Sequence, residues 1–186
     1  MGKGARVDGE GKSVRQEVYL YGYKTHVSVN EETELITSVE VTSGNGPGGK
    51  QMPLLVWQDL EQGVPAEVAA ADRAYDDTRN HHFLNVRGIE SAIRLHDYRT
   101  EKKDPSKGGS VAMEQKPEYV RGQGQRYKIE RKFGEAKQGH GLGRCRYIGS
   151  LRYAIQVYMT VLTLNLKRMV KLLTGVNFKG KARLSA

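Results

Sequence analysis

The sequence contains little that would place the chain in a membrane or outside the cell. Its 186 residues include a single cysteine, Cys145, so neither an internal disulfide nor a cysteine-rich zinc site can form. No apolar run approaches the roughly 18 residues that a membrane span needs. Residues 1–15 are too polar for a secretory signal. We therefore expect a cytoplasmic protein with one domain, the usual number for a chain of this length.

Acidic residues are scarce in the last third of the chain. Residues 121–186 hold 15 Lys and Arg but only 2 acids, a net charge of +13, whereas residues 1–120 hold 15 Lys and Arg and 19 acids, a net charge of −4. A concentrated cationic block predicts a nucleic acid partner, because binding to a polyanion releases counterions. A solvated basic surface is the alternative, and a membrane surface is disfavoured.

The order of sequence patterns predicts an α/β fold, with a hairpin followed by alternating helices and strands. Gly-rich and charged residues predict a flexible arm over 1–16, followed by one domain over 17–174 and a basic tail over 175–186. Within the domain, apolar and turn patterns predict strands over 17–29, 34–42, 66–71 and 89–95, helices over 50–62, 76–86, 121–138 and 150–173, and a loop or insertion over 96–118.

The strongest helical pattern covers residues 150–173. Apolar residues recur there at steps of four and three, which places them on one side of a helix. We predict that this side faces the core; its members are Leu151, Ile155, Tyr158, Leu162, Leu166, Met169 and Leu173.

Asp72 and Glu130 are the candidate catalytic carboxylates. Asp72 directly follows an apolar strand pattern, at the sheet edge where α/β proteins bind ligands; taken alone, it could equally be a turn aspartate. Glu130 lies on one helical face with Arg126 and Lys137, where an ordinary ion pair is the alternative. Converging carboxylates suit Mg²⁺, and two such ions can position both oxygens of a phosphodiester displacement.

Several motifs, in order, resemble those of the DDE-type insertion-sequence transposases. Residues 71–75 (ADRAY) are similar to the D-x-[GA]-[YF] signature around the family's second carboxylate. The spacing of Arg126, Glu130 and Lys137 is similar to the R-(3)-E-(6)-K signature around the third. Residues 21–27 (YGYKTHV) resemble the GYKxH strand, and residues 140–147 and 165–168 resemble the end of these domains.

This resemblance implies an RNase H-like fold, in which helices flank a mixed sheet. It implies that Asp72 and Glu130 bind Mg²⁺, or alternatively Mn²⁺, for cleavage and transfer of DNA strands. DNA is the implied partner, with a nucleoid-associated location and a homodimer in an intact relative. Together with the basic block, the resemblance makes six residues candidates for contact with DNA: Arg126, Lys128, Arg131, Lys137, Arg144 and Arg146.

The sequence departs from the family pattern at three points. The first carboxylate belongs to a strand upstream of the GYK motif, where Asp8 is the sole aspartate. Gln123 replaces the tyrosine that usually precedes Arg126, and residues 45–48 (NGPG) replace an N-x-H-D turn. We therefore expect a truncated copy with a missing or degenerate first strand, which would not catalyse transposition as this chain alone. A non-catalytic DNA-binding remnant is the alternative, and another RNase H-like nuclease or an RNA-binding protein is a third reading.

Overall fold

In a computed structural model, residues 2–7, 13–18, 22–96 and 113–176 are described. Its strands over these residues are β1 (Gly2–Val7), β2 (Ser13–Val18), β3 (Tyr23–Val29), β4 (Ile36–Ser43), β5 (Val68–Ala71) and β6 (Glu90–Ile93). Its longer helices are α1 (Met52–Glu61), α2 (Thr78–Val86), α3 (Pro117–Gln125), α4 (Tyr127–Gly139) and α5 (Ser150–Thr174), and short 3₁₀ turns cover Gly48–Gln51 and Arg73–Tyr75. The predicted α/β class is confirmed.

The described strands pair as three two-stranded sheets: β1–β2, β3–β4 and β5–β6. β5 and β6 are parallel and are connected through α2, as a parallel pair requires a crossover. The other two pairs are antiparallel hairpins. The single RNase H-like sheet that the resemblance implies therefore stays a prediction.

The first hairpin falls where a flexible arm over 1–16 was expected. Gly2 pairs with Val18 and Val7 pairs with Ser13, so β1 and β2 align over six residues each. The composition of the segment argued against a strand, but a hairpin ladder is made by backbone groups that every residue except proline carries. Asp8, the candidate first carboxylate, lies between these strands and outside the described residues.

The β3–β4 hairpin forms as predicted and is covered on both faces. Its two strands pair with Val27 opposite Val39, and side chains alternate between the faces. On the polar face, Ser38 Oγ donates to the Leu55 carbonyl of α1 at 3.1 Å. The apolar face packs on α4 and α5, in a core of buried residues comprising Ile36, Ala136, Leu142, Tyr153, Val157 and Leu164.

A second core fills the space between α1, α2 and the β5–β6 pair. Its buried members are Met52, Val56, Leu84, Ile89 and Ile93. Helix α1 contributes to this core and also contacts the β3–β4 hairpin. It therefore connects the hairpin to the β5–β6 pair.

The apolar stripe of α5 was predicted to be the core side of the helix, and this prediction is wrong. Leu151 is 76% exposed and Leu162 is 52% exposed. The helix instead buries the opposite side, where apolar residues join the core and polar groups bond to the hairpin. Asn165 receives the Ile36 N–H at 2.9 Å and donates to the Ile36 carbonyl at 2.8 Å. Periodicity detects an apolar face, but it does not show which of two apolar faces the rest of the fold covers.

The region before α5 also differs from the prediction. A single helix was expected over 121–138; two helices, α3 and α4, cover this region, and they are separated only at Arg126, whose backbone keeps helical dihedrals (φ −56°, ψ −30°). The loop expected over 96–118 gives way to α3 at Pro117, a residue suited to the first turn of a helix. Most of that loop lies outside the described residues, as does the tail beyond residue 176.

Helix α3 lies against the β5–β6 pair at a glycine. A Cβ on Gly122 would lie 2.8 Å from the Ala92 Cβ and 3.2 Å from the Ala70 Cβ. Since Ala92 is fully buried in a strand, neither partner can move away cheaply. Glycine is unfavourable inside a helix, and this close packing explains why it stands at position 122.

We predict opposite effects for two neighbouring glycines. Gly122→Ala should lower the free energy of unfolding by about 1–3 kcal/mol, because it overpacks the contact between the helix and the sheet. Gly124→Ala meets nothing within 4 Å and should raise it by about 0.5–1 kcal/mol. Urea denaturation of both variants checks this, and equal effects would contradict the close-packing explanation.

The turn between β3 and β4, residues 30–35, receives cations from three helices. Arg121 of α3 bonds to Glu31 at 3.1 Å, and Lys128 of α4 donates to the Glu31 carbonyl at 2.9 Å. Glu34 pairs with Arg131 of α4 and with Arg168 of α5. Arg168 also donates to the Thr33 carbonyl. We call residues 30–35 the acidic turn.

The pKa of Glu34 reports on this arrangement. Burial by itself would raise it, but the hydrogen bond and charge of Arg131 and the charge of Arg168 outweigh burial and hold the pKa of Glu34 below its ordinary value of 4.5. The charged carboxylate is therefore favoured in the folded chain.

Glu34→Gln should lower the free energy of unfolding by about 2 kcal/mol at neutral pH, because two arginines lose a charged partner that is only 13% exposed. The stabilisation is fully present above pH 4.5 and decreases as the pH falls from there towards the lower folded-state pKa. Chemical denaturation between pH 3 and 7 measures both effects. Glu32→Gln, at an exposed position of the same turn, is the control and should change little.

Candidate metal and nucleic-acid site

Asp72 lies at the carboxyl edge of the parallel β5–β6 pair, as predicted. It directly follows β5 and caps the 3₁₀ turn, because its Oδ1 accepts the Ala74 N–H at 2.9 Å. Its side chain is exposed. A turn aspartate and a metal ligand are therefore compatible roles for Asp72, because one oxygen orders the backbone while the carboxylate stays open to solvent.

The turn that carries Asp72 is fastened to the hairpin through His26 and Tyr75. His26 Nδ1 and the Tyr75 hydroxyl are 3.0 Å apart, and His26 Nε2 lies 3.0 Å from Thr42 Oγ1. Burial, and next the charge of Lys24, lower the pKa of His26. Burial and the nearby Asp72 charge raise the pKa of Tyr75. The GYKTH and ADRAY motifs thus meet through one hydrogen bond between neutral side chains.

The glycine-rich loop over residues 43–49 also packs against His26 and the turn that carries Asp72. A Cβ on Gly48 would lie 3.1 Å from His26 Cε1, and one on Gly49 would lie 2.5 Å from the Ala74 carbonyl oxygen. Asn80 Nδ2 donates to the carbonyls of Gly49 and Tyr75 at 2.9 and 2.8 Å. The contact of this loop with the Asp72 turn was not predicted from the sequence, although consecutive glycines are a signal of close backbone approach.

Gln123 links the helix pair that carries Glu130 to the strand that precedes Asp72. Its Nε2 donates to the Ala71 carbonyl at 3.1 Å and also to the Ala92 carbonyl. Its Oε1 accepts from Arg126 at 3.3 Å. The residue that departs from the family's tyrosine therefore serves as a polar bridge across the ends of both parallel strands.

Glu130 follows one helical turn after Arg126. The guanidinium of Arg126 is 4.0 Å from Glu130 Oε1, and the Glu130 side chain is 74% exposed. A weak, exposed pair of this kind contributes little stability. The Glu130 carboxylate is therefore open to solvent, like that of Asp72.

A second polar network lies beside Asp72 and was not found from the sequence. Asp76 is buried; its Oδ1 is 3.0 Å from His81 Nε2, and its Oδ2 accepts the His96 N–H at 2.7 Å. Ser91 Oγ lies 2.8 Å from His81 Nδ1. His81 therefore connects α2 with β6 and with the buried Asp76.

The six candidate DNA contacts divide into two groups. Lys128 and Arg131 bond to the acidic turn, and Arg126 bonds to Gln123. By contrast, Arg144 and Arg146 are exposed in the loop between α4 and α5. Lys137 is also exposed, with its Nζ 6.0 Å from the centre of the Phe133 ring.

The loop that carries the two exposed arginines is ordered by Gln156 of α5. Gln156 Nε2 donates to the Arg144 carbonyl at 3.0 Å and to the Gly141 carbonyl at 3.3 Å, while its Oε1 accepts the Arg146 N–H at 3.2 Å. Gly141 has a positive φ of 71°. Both arginines are thus exposed on an ordered backbone, which suits contact with a polyanion.

The donor set partly fits a divalent metal ion. Asp72 and Glu130 supply exposed carboxylate oxygens, which are the ligands that Mg²⁺ prefers. Within the described ranges, no three His, Cys, Asp or Glu side chains are close enough together to form a metal site. No helix in the same part of the chain is both long and apolar enough to cross a membrane.

Comparison with known families decides the assignment. The profile of the transposase DDE domain matches residues 2–166, which is most of the chain. The chain belongs to this family. A search of curated proteins finds no match. The family match confirms the resemblance inferred from the motifs, and it begins at β1, within the segment that was expected to be an arm.

His26 should make the stability of this DDE domain depend on pH. Because the pKa of His26 lies below 6.5 in the folded chain, its contribution is fully present above pH 6.5 and is lost as the pH falls towards the folded-state value. In His26→Gln, this part of the decrease should be missing. Denaturation between pH 5 and 8 measures it, with His82→Gln as the exposed control. If the stability of His26→Gln decreased with falling pH as much as that of the unaltered chain, His26 would not be the group responsible.

Proposed function

We propose that the chain is the DNA-processing part of a transposase and that Asp72 and Glu130 are two of its metal ligands. The observation that supports this proposal most directly is the Gln123 bridge within a chain that matches the transposase DDE domain. Gln123 bonds at once to the residue before Asp72 and to the arginine before Glu130. Gln123 therefore connects the end of the strand before Asp72 with Arg126, whose guanidinium is 4.0 Å from the Glu130 carboxylate.

Asp72 and Glu130 would hold Mg²⁺ or Mn²⁺ through oxygen atoms. The bound metal would supply activation of a water or hydroxyl for attack on a phosphodiester. The capped turn fixes the backbone of Asp72, and Arg126 beside Glu130 offers a positive charge for a phosphate oxygen. A third ligand is required, and Asp8 is our candidate for it. We further infer that the described strand pairs are parts of an RNase H-like arrangement.

DNA would contact the exposed cations, and Arg144 and Arg146 are the best candidates. Their loop leads from the helix with Glu130, and the backbone of both residues is ordered by Gln156. Lys128 and Arg131 serve the acidic turn first and would contribute less to binding. Arginine suits this role because its planar donors match phosphate oxygens.

A non-catalytic DNA-binding protein is the second candidate function. It is favoured by the lack of any cluster of three metal-binding side chains in the described part of the chain. This candidate shares the exposed arginines but gives Asp72 and Glu130 no chemical role. Strand cleavage and DNA binding therefore have to be measured separately.

Nicking of supercoiled plasmid DNA with Mg²⁺ or Mn²⁺ tests the catalytic proposal. Asp72→Asn and Glu130→Gln should each lower the nicking rate by about 100-fold or more, because each removes a charged ligand. Asp77→Asn is the matched control: Asp77 is exposed and caps α2, and asparagine caps equally well. Loss of nicking in Asp8→Asn would identify the third ligand. Binding without nicking by the unaltered chain would favour the second candidate function.

The double variant Arg144→Gln with Arg146→Gln should weaken DNA binding across unrelated sequences. Its plot of log affinity against log salt concentration should be shallower by about 2, since two phosphate contacts are lost. Arg79→Gln with Arg87→Gln removes the same charge from exposed positions on and after α2. If both pairs weaken binding equally, net charge alone would account for the effect.

A further inference from the structure

The loop between α4 and α5 exposes two adjacent apolar side chains. Ile148 is 88% exposed, more than any other large apolar side chain in the described residues, and Tyr147 before it is 49% exposed. A single exposed apolar residue is ordinary on a protein surface. Two in succession within a charged loop are not explained by packing, because neither belongs to one of the two cores of the fold.

The backbone around Ile148 is fastened on both sides. Before it, the Arg146 N–H donates to Gln156 Oε1 at 3.2 Å. After it, the Gly149 N–H donates to the Tyr23 hydroxyl of β3 at 2.8 Å, and Gly149 has a positive φ of 101°, which suits glycine. Ile148 is therefore presented on an ordered backbone, and its β-branched side chain has little rotamer freedom to lose on binding.

Three arginines flank this apolar pair along the chain. Arg144 and Arg146 precede Ile148, and Arg152 follows it; all three are exposed, and within the described residues none forms an ion pair. Residues 136–186 contain no aspartate or glutamate. The loop is thus apolar at its centre and cationic before and after it, a charge pattern that complements the phosphates of a nucleic acid.

Contacts with phosphates would not by themselves require an apolar group between the cations. Proteins that kink DNA combine the two, because an apolar side chain enters between stacked base pairs from the minor groove while cations hold the backbone. Isoleucine is among the side chains that act in this way. The kink brings more of the duplex against the protein, and these added contacts offset the cost of unstacking.

We propose that Ile148 is a wedge that enters between two base pairs of duplex DNA from the minor groove and kinks the duplex. Tyr147 lies beside the opened step. Phosphates on either side are held by Arg144, Arg146 and Arg152. The wedge rests on the proposed contact of DNA with the first two arginines and adds a point of deformation to it. Because pyrimidine–purine steps unstack most easily, the wedge selects DNA by its deformability.

The bend can be measured by resonance energy transfer between dyes at the two ends of a duplex of about 30 base pairs, with EDTA present so that no strand is cut. The unaltered full chain should bend the duplex by about 20–90°. Ile148→Ala should leave it bound but straight, whereas Ile148→Met keeps a large apolar side chain and should still bend it. Val86→Ala is the matched control, since Val86 is β-branched, 68% exposed and followed by an arginine. Circular dichroism checks that each variant folds.

A duplex with one mismatched base pair tests the insertion itself. A mismatch lowers the cost of unstacking, so the unaltered chain should bind this duplex about 10-fold more tightly than the paired one. Ile148→Ala should bind both duplexes equally. In a paired duplex, 2-aminopurine at a central pyrimidine–purine step should become more fluorescent as it unstacks, and Ile148→Ala should abolish this rise.

The outcomes separate the wedge from the DNA contact on which it rests. A duplex that is bound by the unaltered chain but stays straight, or that Ile148→Ala bends equally, would overturn the wedge and leave the DNA contact intact. Weaker binding of Ile148→Ala to single strands, with duplex bending unchanged, would overturn it in favour of unpaired bases. Absence of duplex binding by the unaltered chain would overturn both and favour an acidic protein as the partner of this loop.

Discussion

The acidic turn between β3 and β4 is the constraint on which the second half of the molecule depends. It receives Arg121 from α3, Lys128 and Arg131 from α4, and Arg168 from α5. Carboxylates and backbone carbonyls both serve as acceptors, so the three helices are oriented by one short segment. The same hairpin contacts the turn of Asp72 through His26. It therefore relates the position of Asp72 to that of Glu130 through two independent sets of contacts.

These contacts show that part of the charge asymmetry of the sequence is used for pairing within the fold. The net charge of +13 over residues 121–186 suggested a nucleic-acid surface. Part of that charge neutralises acids of the first two thirds of the chain, where Glu31 and Glu34 lie on the acidic turn. Other cations of this block face solvent, and Arg144 and Arg146 are the clearest of them. A cationic block in a sequence thus combines internal pairing with surface function, and composition does not separate the two.

Sequence patterns predicted the order of elements from β3 to β6 and the position of Asp72 at a strand end, because local periodicity and turn residues determine these features. They did not predict which side of α5 is buried, since Asn165 and Arg168 bond to a hairpin about 130 positions earlier. The contact of Gly122 with Ala92 was hidden for the same reason. Likewise, Gln123 was interpreted only as a departure from the family pattern, although its side chain bridges the ends of two strands.

The glycine loop before α1 has a consequence for how this domain can evolve. Gly48 and Gly49 supply no acid, base or charge, yet each lies against the assembly that positions Asp72, at His26 and at the Ala74 carbonyl. A Cβ on Gly49 would collide with that carbonyl, and one on Gly48 would press on the His26 ring. A side chain at Gly49 would therefore alter the turn that Asp72 caps without removing any acid, base or charge. Intolerance to substitution at these two positions would report on close packing and not on a chemical group.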